Sequence, residues 1–169
     1  SPSGAVAPQG PRAPRATPSS VAVETDGGGR TRVAWTLEAW WLSRRDKTVV
    51  SPEFWVDVPG LGPQPFKILI AADTTKGGFN DAGGRGRIEV KWSLQTTPTQ
   101  SPPRLSVCVG VSRPDCALGP NSGFRGPVVH DFAHSCCCGL PRGEQVWDLL
   151  SAVDPLTRQF MVSLDVAPA

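Results

Sequence analysis

Both histidines and three of the five cysteines of this chain lie in one short stretch, VVHDFAHSCCCGL, at residues 128–140. Imidazole and thiolate groups are preferred ligands of zinc and other transition metals, so the stretch has the composition of a metal site. Its spacing argues against that chemistry. On an extended strand His130 and His134 share a face but are about 13 Å apart, which is too far to bind one ion.

The three consecutive cysteines offer a second arrangement. On a strand, Cys136 and Cys138 share one face while Cys137 points to the other. Two thiolates fall short of the four ligands of a structural zinc site, so we expect a strand whose cysteines pack as small hydrophobic residues, and no cofactor. A metal or redox site is the weaker alternative, and its candidate ligands are His130, His134, Cys136 and Cys138.

No catalytic signature accompanies the neighbouring pair His130 and Asp131. A hydrolase with a nucleophile elbow carries the motif GxSxG, which this sequence lacks. The glycine-rich stretches GGRGRIE and TTKGG match neither the dinucleotide-binding fingerprint nor the phosphate-binding loop GxxxxGK[ST]. The sequence therefore predicts a protein that is not an enzyme.

The overall composition excludes two classes of partner. With 17 basic and 15 acidic residues the net charge is +2, too balanced to predict nucleic-acid binding through phosphate neutralisation. No apolar run approaches the roughly 20 residues of a membrane-spanning helix, so we expect membrane proximity only through partners. The 18 prolines and 18 glycines favour many short elements joined by tight turns.

The elements that must position these residues are strands, because apolar residues alternate with polar ones along most of the chain. The segments with this alternation are VAWTLEA, SPEFWVDV, FKILIAA, RIEVKWSL, LSVCVGV and FMVSLDV. With the extended stretch around His130 they predict an all-β fold, an antiparallel β-sandwich of about seven to eight strands. Only RGEQVWDLLSAVD has room for a helical turn, with Val146, Trp147 and Leu150 facing inward.

The chain divides by composition into a tail at residues 1–30 and a sandwich domain at 31–169. The tail begins SPSGAVAPQGPRAPRATPSS, rich in proline and without bulky hydrophobic residues, so it cannot order itself and we expect a partner to hold it. Its arginine, serine and alanine content without acids, and a first residue that is not Met, are typical of a processed organelle-targeted chain. We therefore expect a plastid location, with the cytoplasm as the alternative.

Exposed aromatic residues and tail arginines are the candidate interaction residues. Trp40 and Trp41 are adjacent, and neighbours on a strand point to opposite faces, so one of them should be exposed or covered by a partner. The full set is Trp40, Trp41, Trp55, Arg12 and Arg15.

Seven segments share the order and character of strands in a known family. They are VAWTLEAW, SPEFWV, FKILIAA, GRGRIEVKWSL, VVHDFAHS, EQVWDLLSAVD and FMVSLDV. Together they resemble the TRAF-like or MATH domain family, of the kind found in single-celled algae. The resemblance implies an eight-stranded antiparallel sandwich that binds other proteins, often taking an extended peptide along a sheet edge, and it implies no enzyme activity. Its motifs are diffuse, so no peptide-groove residues are transferred.

These observations lead to one expected function and two alternatives. We expect a non-enzymatic interaction module that is an accessory, structural subunit of a larger assembly, an organelle membrane complex such as a photosynthetic supercomplex. Its partners would be protein subunits, and contact with pigment or lipid would be incidental. The alternatives are a free peptide-binding adaptor and a metal or redox site at the cysteine cluster.

Overall fold

The structure, a computed structural model, describes residues 20–93, 104–114 and 123–169. These residues form eleven strands: β1 (Ser20–Thr25), β2 (Thr31–Glu38), β3 (Thr48–Val50), β4 (Phe54–Val58), β5 (Gly62–Ala72), β6 (Arg85–Trp92), β7 (Arg104–Ser112), β8 (Phe124–Asp131), β9 (Cys137–Gly139), β10 (Val146–Asp148) and β11 (Gln159–Pro168). Three short 3-10 helices lie at Ala39–Ser43, Phe79–Asp81 and Leu150–Ala152.

The strands form two antiparallel sheets in a sandwich-like arrangement. The first has the order β1-β2-β11-β7-β8; the second has the order β10-β6-β5-β3, with β4 also pairing with β5 and β9 with β6. The predicted all-β antiparallel sandwich is confirmed. The structure has more strands than the seven or eight expected, because β3, β9 and β10 have three residues each and are too short for alternation to reveal.

The core lies between the two sheets and follows the predicted alternation. Along β6, Ile88, Val90 and Trp92 are buried while Glu89 and Lys91 are exposed. The same period of two holds along β2 and through the second half of β5, as expected for strands with one face on the core. The largest fully buried side chains are Trp35, Phe79 and Phe160.

Part of the predicted tail belongs to the first sheet. Strand β1 pairs with β2 from Ser20 opposite Thr36 to Thr25 opposite Thr31. The turn that joins the two strands is closed by Asp26, whose Oδ1 accepts hydrogen bonds from the backbone N–H groups of Gly28 at 2.8 Å and Arg30 at 3.1 Å. Residues 1–19 lie outside the described residues, and the division between tail and domain stays a prediction.

The segment expected to hold a helical turn, residues 142–154, opens with a turn and then forms strand β10. Trp147 is buried as predicted, but Val146 is 38% exposed and Leu150 is 52% exposed, so these two inward assignments were wrong. Because β10 alternates, Val146 faces away from the core and Leu149, two residues after Trp147, is the second buried residue. Helical geometry is limited to the single 3-10 turn at Leu150–Ala152.

Arg125 connects an edge strand of the first sheet with an edge strand of the second. The Nη1 atom of Arg125, on β8, donates to the carbonyl oxygens of Glu144 at 2.9 Å and Val146 at 2.7 Å. Its guanidinium carbon lies 3.7 Å from the ring centroid of Trp147, in cation–π contact. Arg125 therefore links the last strand of the first sheet to β10 of the second.

The 3-10 helix Phe79–Asp81 carries a buried aromatic residue into the core. The backbone N–H of Phe79 donates to the carbonyl of Asp46 at 2.9 Å, and that of Asn80 donates to the carbonyl of Arg44 at 2.9 Å. Asp81 Oδ2 accepts from the N–H of Gly78 at 3.1 Å. These bonds fix the helix against the segment before β3 and hold the Phe79 side chain in its fully buried position.

In the described parts of the chain, no helix has the length and apolar character needed to cross a membrane.

Candidate functional site

An exposed tryptophan lies on the outward face of the second sheet. Trp55 is 55% exposed on β4, and it lies directly opposite Pro65 of β5. On the adjoining β3, Val50 is 46% exposed and lies opposite Leu69. The neighbours of Trp55 along β4 are buried, so the strand is anchored in the core while its indole stays outside.

Two lysines lie beside these apolar residues. Lys67 points outward between Pro65 and Leu69 on β5, and it lies directly opposite Lys91 on β6. Like charges in a directly opposite cross-strand pair destabilise a sheet. Among the described residues, no carboxylate forms an ion pair with either ammonium group.

We call this surface the Trp55 face and define it as Val50, Trp55, Lys67, Leu69 and Lys91. It combines an exposed indole, two aliphatic side chains and two lysines that form no ion pair among the described residues, and the carboxylates of Asp57 on β4 and Glu89 on β6 lie on the same side of the sheet. That combination suits the binding of an acidic protein segment that carries an apolar side chain.

An open cleft continues the Trp55 face toward β9. It encloses about 310 Å³, and its lining includes Glu89, Gly139, Leu140 and Gln145. Glu89 lies directly opposite Leu69, so the cleft and the face adjoin across β5 and β6. A partner segment on the Trp55 face has room to extend into it.

Trp40 and Trp41 form a separate aromatic cluster. They lie on the 3-10 helix Ala39–Ser43, so the expectation that strand alternation would send them to opposite faces was wrong. Their rings stack at 4.8 Å between centroids, and both are half-buried. The Arg44 guanidinium lies 5.2 Å and 5.3 Å from the two ring centroids. Much of their aromatic surface therefore already has a partner within the chain.

The two histidines do not share a strand face. Strand β8 ends at Asp131 and a turn follows, closed by a hydrogen bond of 3.0 Å from the N–H of His134 to the Asp131 carbonyl. His130 Nε2 lies 2.9 Å from the carbonyl oxygen of Ser135. A carbonyl can only accept, so Nε2 carries the proton and is not free to ligate a metal. Within the described residues, no group of three or more His, Cys, Asp or Glu side chains is placed to hold an ion.

The three cysteines have three different environments. Cys136 precedes β9 and is exposed, Cys137 is half-buried and Cys138 is buried in the core. The expected shared face of Cys136 and Cys138 was therefore wrong, because the strand begins one residue later. Instead the sulfur atoms of Cys136 and Cys137 are 3.9 Å apart. Burial raises the pKa of Cys137, and its hydrogen bond with Cys136 adds to the rise.

The buried thiol predicts a pH dependence of stability. Burial raises the pKa of Cys138 to about 11 from its ordinary value of 9.0. The contribution of the neutral Cys138 thiol to stability is fully present below the pKa that this thiol has in the unfolded chain, and it is lost as the pH rises through the pKa in the folded chain. We therefore expect the free energy of unfolding to fall by about 2–3 kcal/mol because of this group. The free energy of unfolding, measured by urea titration at pH values from about 8 to about 11, should change less with pH in Cys138→Ala than in the parent chain. An unchanged profile, matching that of exposed Cys136→Ser, would contradict the assignment.

Sequence reasoning placed Trp55 among the interaction residues but missed Lys67 and Lys91. Alternation along FKILIAA and RIEVKWSL already points both lysines outward, yet only the register of β5 on β6 makes them a pair. Arg12 and Arg15 lie outside the described residues, so their predicted role stays a prediction.

Comparison of the chain with known protein families and with curated proteins finds no match to either.

Proposed function

We propose that this chain is a non-enzymatic protein-interaction module that binds a partner subunit through the Trp55 face. The observation that carries the proposal is Trp55, an indole 55% exposed on a strand whose neighbouring side chains are buried. Tryptophan is enriched among the residues that dominate binding energy in protein interfaces. Because its strand is anchored in the core, little backbone order has to be gained on binding.

The charges beside Trp55 indicate the chemical character of the partner segment. Lys67 and Lys91 repel one another in the isolated chain, and carboxylates of a partner would neutralise both. The expected partner segment therefore carries acidic residues next to an apolar side chain that covers Trp55, Val50 and Leu69. This surface suits an accessory subunit that attaches to one face of a larger assembly.

The test is the size of the native complex that contains this chain. We expect the endogenous protein, gently solubilised, to migrate with other subunits, and cross-linking from the Trp55 face to identify the one it contacts. Trp55→Ser and Lys67→Glu should each weaken binding of the purified chain to that subunit by about tenfold or more, as expected for residues central to an interface.

Lys67→Glu separates binding from folding. It places a carboxylate opposite Lys91, an arrangement that stabilises a sheet by a few tenths of a kcal/mol or more. The variant should therefore fold at least as well as the parent chain while losing its partner. Matched controls are Leu156→Ser, at a residue 90% exposed elsewhere, and Lys76→Glu in an exposed loop, and both should bind normally.

Two results would contradict the proposal. Migration of the endogenous protein as an isolated chain would favour a free peptide-binding adaptor. Unchanged binding of Trp55→Ser and Lys67→Glu would place the interface elsewhere, with the stacked pair Trp40 and Trp41 as the next surface to test. The resemblance to TRAF-like domains, the plastid location and a photosynthetic assembly stay predictions.

A further inference from the structure

The first sheet ends on one side at β1, whose outer edge pairs with no other described strand. This strand spans six residues in an unbroken register with β2, and it contains neither proline nor lysine. Regular edges without such residues are templates for pairing with a further strand. The opposite edge of the sheet is protected, because β8 carries Pro127 and pairs with β7 through a register shift between Val107 and Val109. Of these two edges, β1 is therefore the one at which a strand can add.

The ladder between β1 and β2 fixes which backbone groups of β1 point toward this edge. At the turn that joins the two strands, the N–H of Asp26 donates to the carbonyl of Arg30 at 2.9 Å, so these residues form a hydrogen-bonded pair. Bonded pairs alternate with non-bonded pairs along an antiparallel ladder. Val21, Val23 and Thr25 therefore belong to non-bonded pairs, and their N–H and C=O groups point away from β2. A strand added at this edge would find three donors and three acceptors in line.

The side chains of the same residues lie on the core face of the sheet. Val21 lies opposite the buried Trp35 and packs against the core. Val23 lies opposite the buried Val33 but is itself 40% exposed, because no described strand lies beside it. An added strand would cover the Val23 side chain, and removal of this apolar surface from water favours the pairing.

We propose that this edge binds the β1 strand of a second copy of the chain, antiparallel and with Val23 on the two-fold axis. In that register Val23 lies opposite Val23 of the second copy, and Val21 lies opposite Thr25. All of these residues direct their N–H and C=O groups outward, so each opposed pair exchanges two backbone hydrogen bonds. The two five-stranded sheets then become one continuous sheet across a symmetric dimer.

The sequence of β1 is complementary to itself in this register. The hydrogen-bonded pairs consist of β-branched residues, which stabilise cross-strand contacts, and the two exposed Val23 side chains cover one another. Glu24 is the one charged residue of the strand, and it lies opposite Ala22 of the second copy instead of another carboxylate. Within its own chain Glu24 lies opposite Arg32, which offsets its charge. The proposal does not depend on the function assigned to the Trp55 face.

The test is sedimentation equilibrium of the purified full chain over a range of concentrations. We expect the mass of the parent chain to rise with concentration toward that of a dimer. Val23→Pro should weaken association by roughly tenfold or more, because it removes the N–H that bonds to the second copy. That N–H does not bond to β2, so the edge strand accommodates the proline and circular dichroism should show a folded monomer. The matched control Val23→Thr keeps the N–H and the β-branched shape, and it should associate like the parent chain.

A charge exchange at the same position tests the register. Val23→Lys and Val23→Glu each place like charges directly opposite one another at the two-fold axis, so each variant alone should be monomeric. An equimolar mixture of the two variants should form a heterodimer, because opposite charges then meet at the axis. A parent chain that stays monomeric at every concentration would overturn the proposal and leave the edge to a segment of another protein. Association of Val23→Pro as tight as that of the parent chain, or a mixture that stays monomeric, would overturn it as well.

Discussion

Replacing Trp35 by alanine is expected to lower the free energy of unfolding by about 3–5 kcal/mol, the range for removing a buried aromatic side chain from a core. Trp35 is fully buried on β2. It lies opposite Val21 of β1 and Val162 of β11, at the centre of three consecutive strands of the first sheet. A cavity at this position would remove core contacts beneath the strands β1, β2 and β11, which pair with one another around Trp35.

The control for this variant is Trp35→Phe. The Nε1 atom of Trp35 is buried and has no hydrogen-bond partner among the described residues. Phenylalanine keeps much of the ring volume and removes that unpaired N–H, whose burial is unfavourable by about 1–3 kcal/mol. We therefore expect Trp35→Phe to be much less destabilising than Trp35→Ala. Urea unfolding followed by circular dichroism measures the free energy of unfolding of both variants. Equal losses in the two variants would contradict this expectation, because they would mean that Trp35 Nε1 has a hydrogen-bond partner or that Trp35→Ala leaves only a small cavity.

A second large loss is expected from Gly78→Ala. A Cβ atom at Gly78 would lie 2.5 Å from the carbonyl oxygen of Asp46 and closer still to the carbonyl of Arg45. The carbonyl of Asp46 cannot move away easily, because it accepts a hydrogen bond from the N–H of Phe79. The added methyl group must displace the 3-10 helix Phe79–Asp81 and with it the buried ring of Phe79. We expect a loss of about 3 kcal/mol, at the upper end of the range for overpacking.

Gly27→Ala is the matched control for Gly78→Ala. A Cβ at Gly27 meets no atom within 4 Å, and the residue lies in the exposed turn between β1 and β2. Its effect on the free energy of unfolding should stay within about 0.5 kcal/mol, as for most surface substitutions. Thermal unfolding of both variants checks the comparison. A small effect at Gly78 would mean that the segment before β3 shifts to make room.

The sequence predicted the fold class because one face of most strands is buried. Alternation such as that of Ile88, Val90 and Trp92 reports burial directly, and it requires no knowledge of which strands are neighbours. The same signal fails where strands are three residues long, as in β3, β9 and β10. It also misassigned Ala39, Trp40 and Trp41 to a strand, because the 3-10 helix Ala39–Ser43 follows β2 without any glycine or proline to mark the change.

The candidate sites depended on information that local pattern does not contain. Lys67 and Lys91 become a pair only through the register of two strands that are separated by a long connection. Cys136 and Cys137 become neighbours in space only because β9 begins one residue after Cys136. By contrast Trp55 was recognisable in advance, since SPEFWVDV places it between two apolar residues of the opposite face.

The position of β11 has a consequence for how this chain reaches its fold. β11 is the last strand described, yet it lies between β2 and β7 and pairs with both along most of its length. During synthesis, which exposes the N-terminal part first, β2 and β7 must wait with one edge unpaired until residues 159–168 emerge. Pairing then closes a loop of more than a hundred residues between Glu38 and Gln159, so folding should take milliseconds to seconds. Until then the unpaired edges of β2 and β7 are templates for association with other chains.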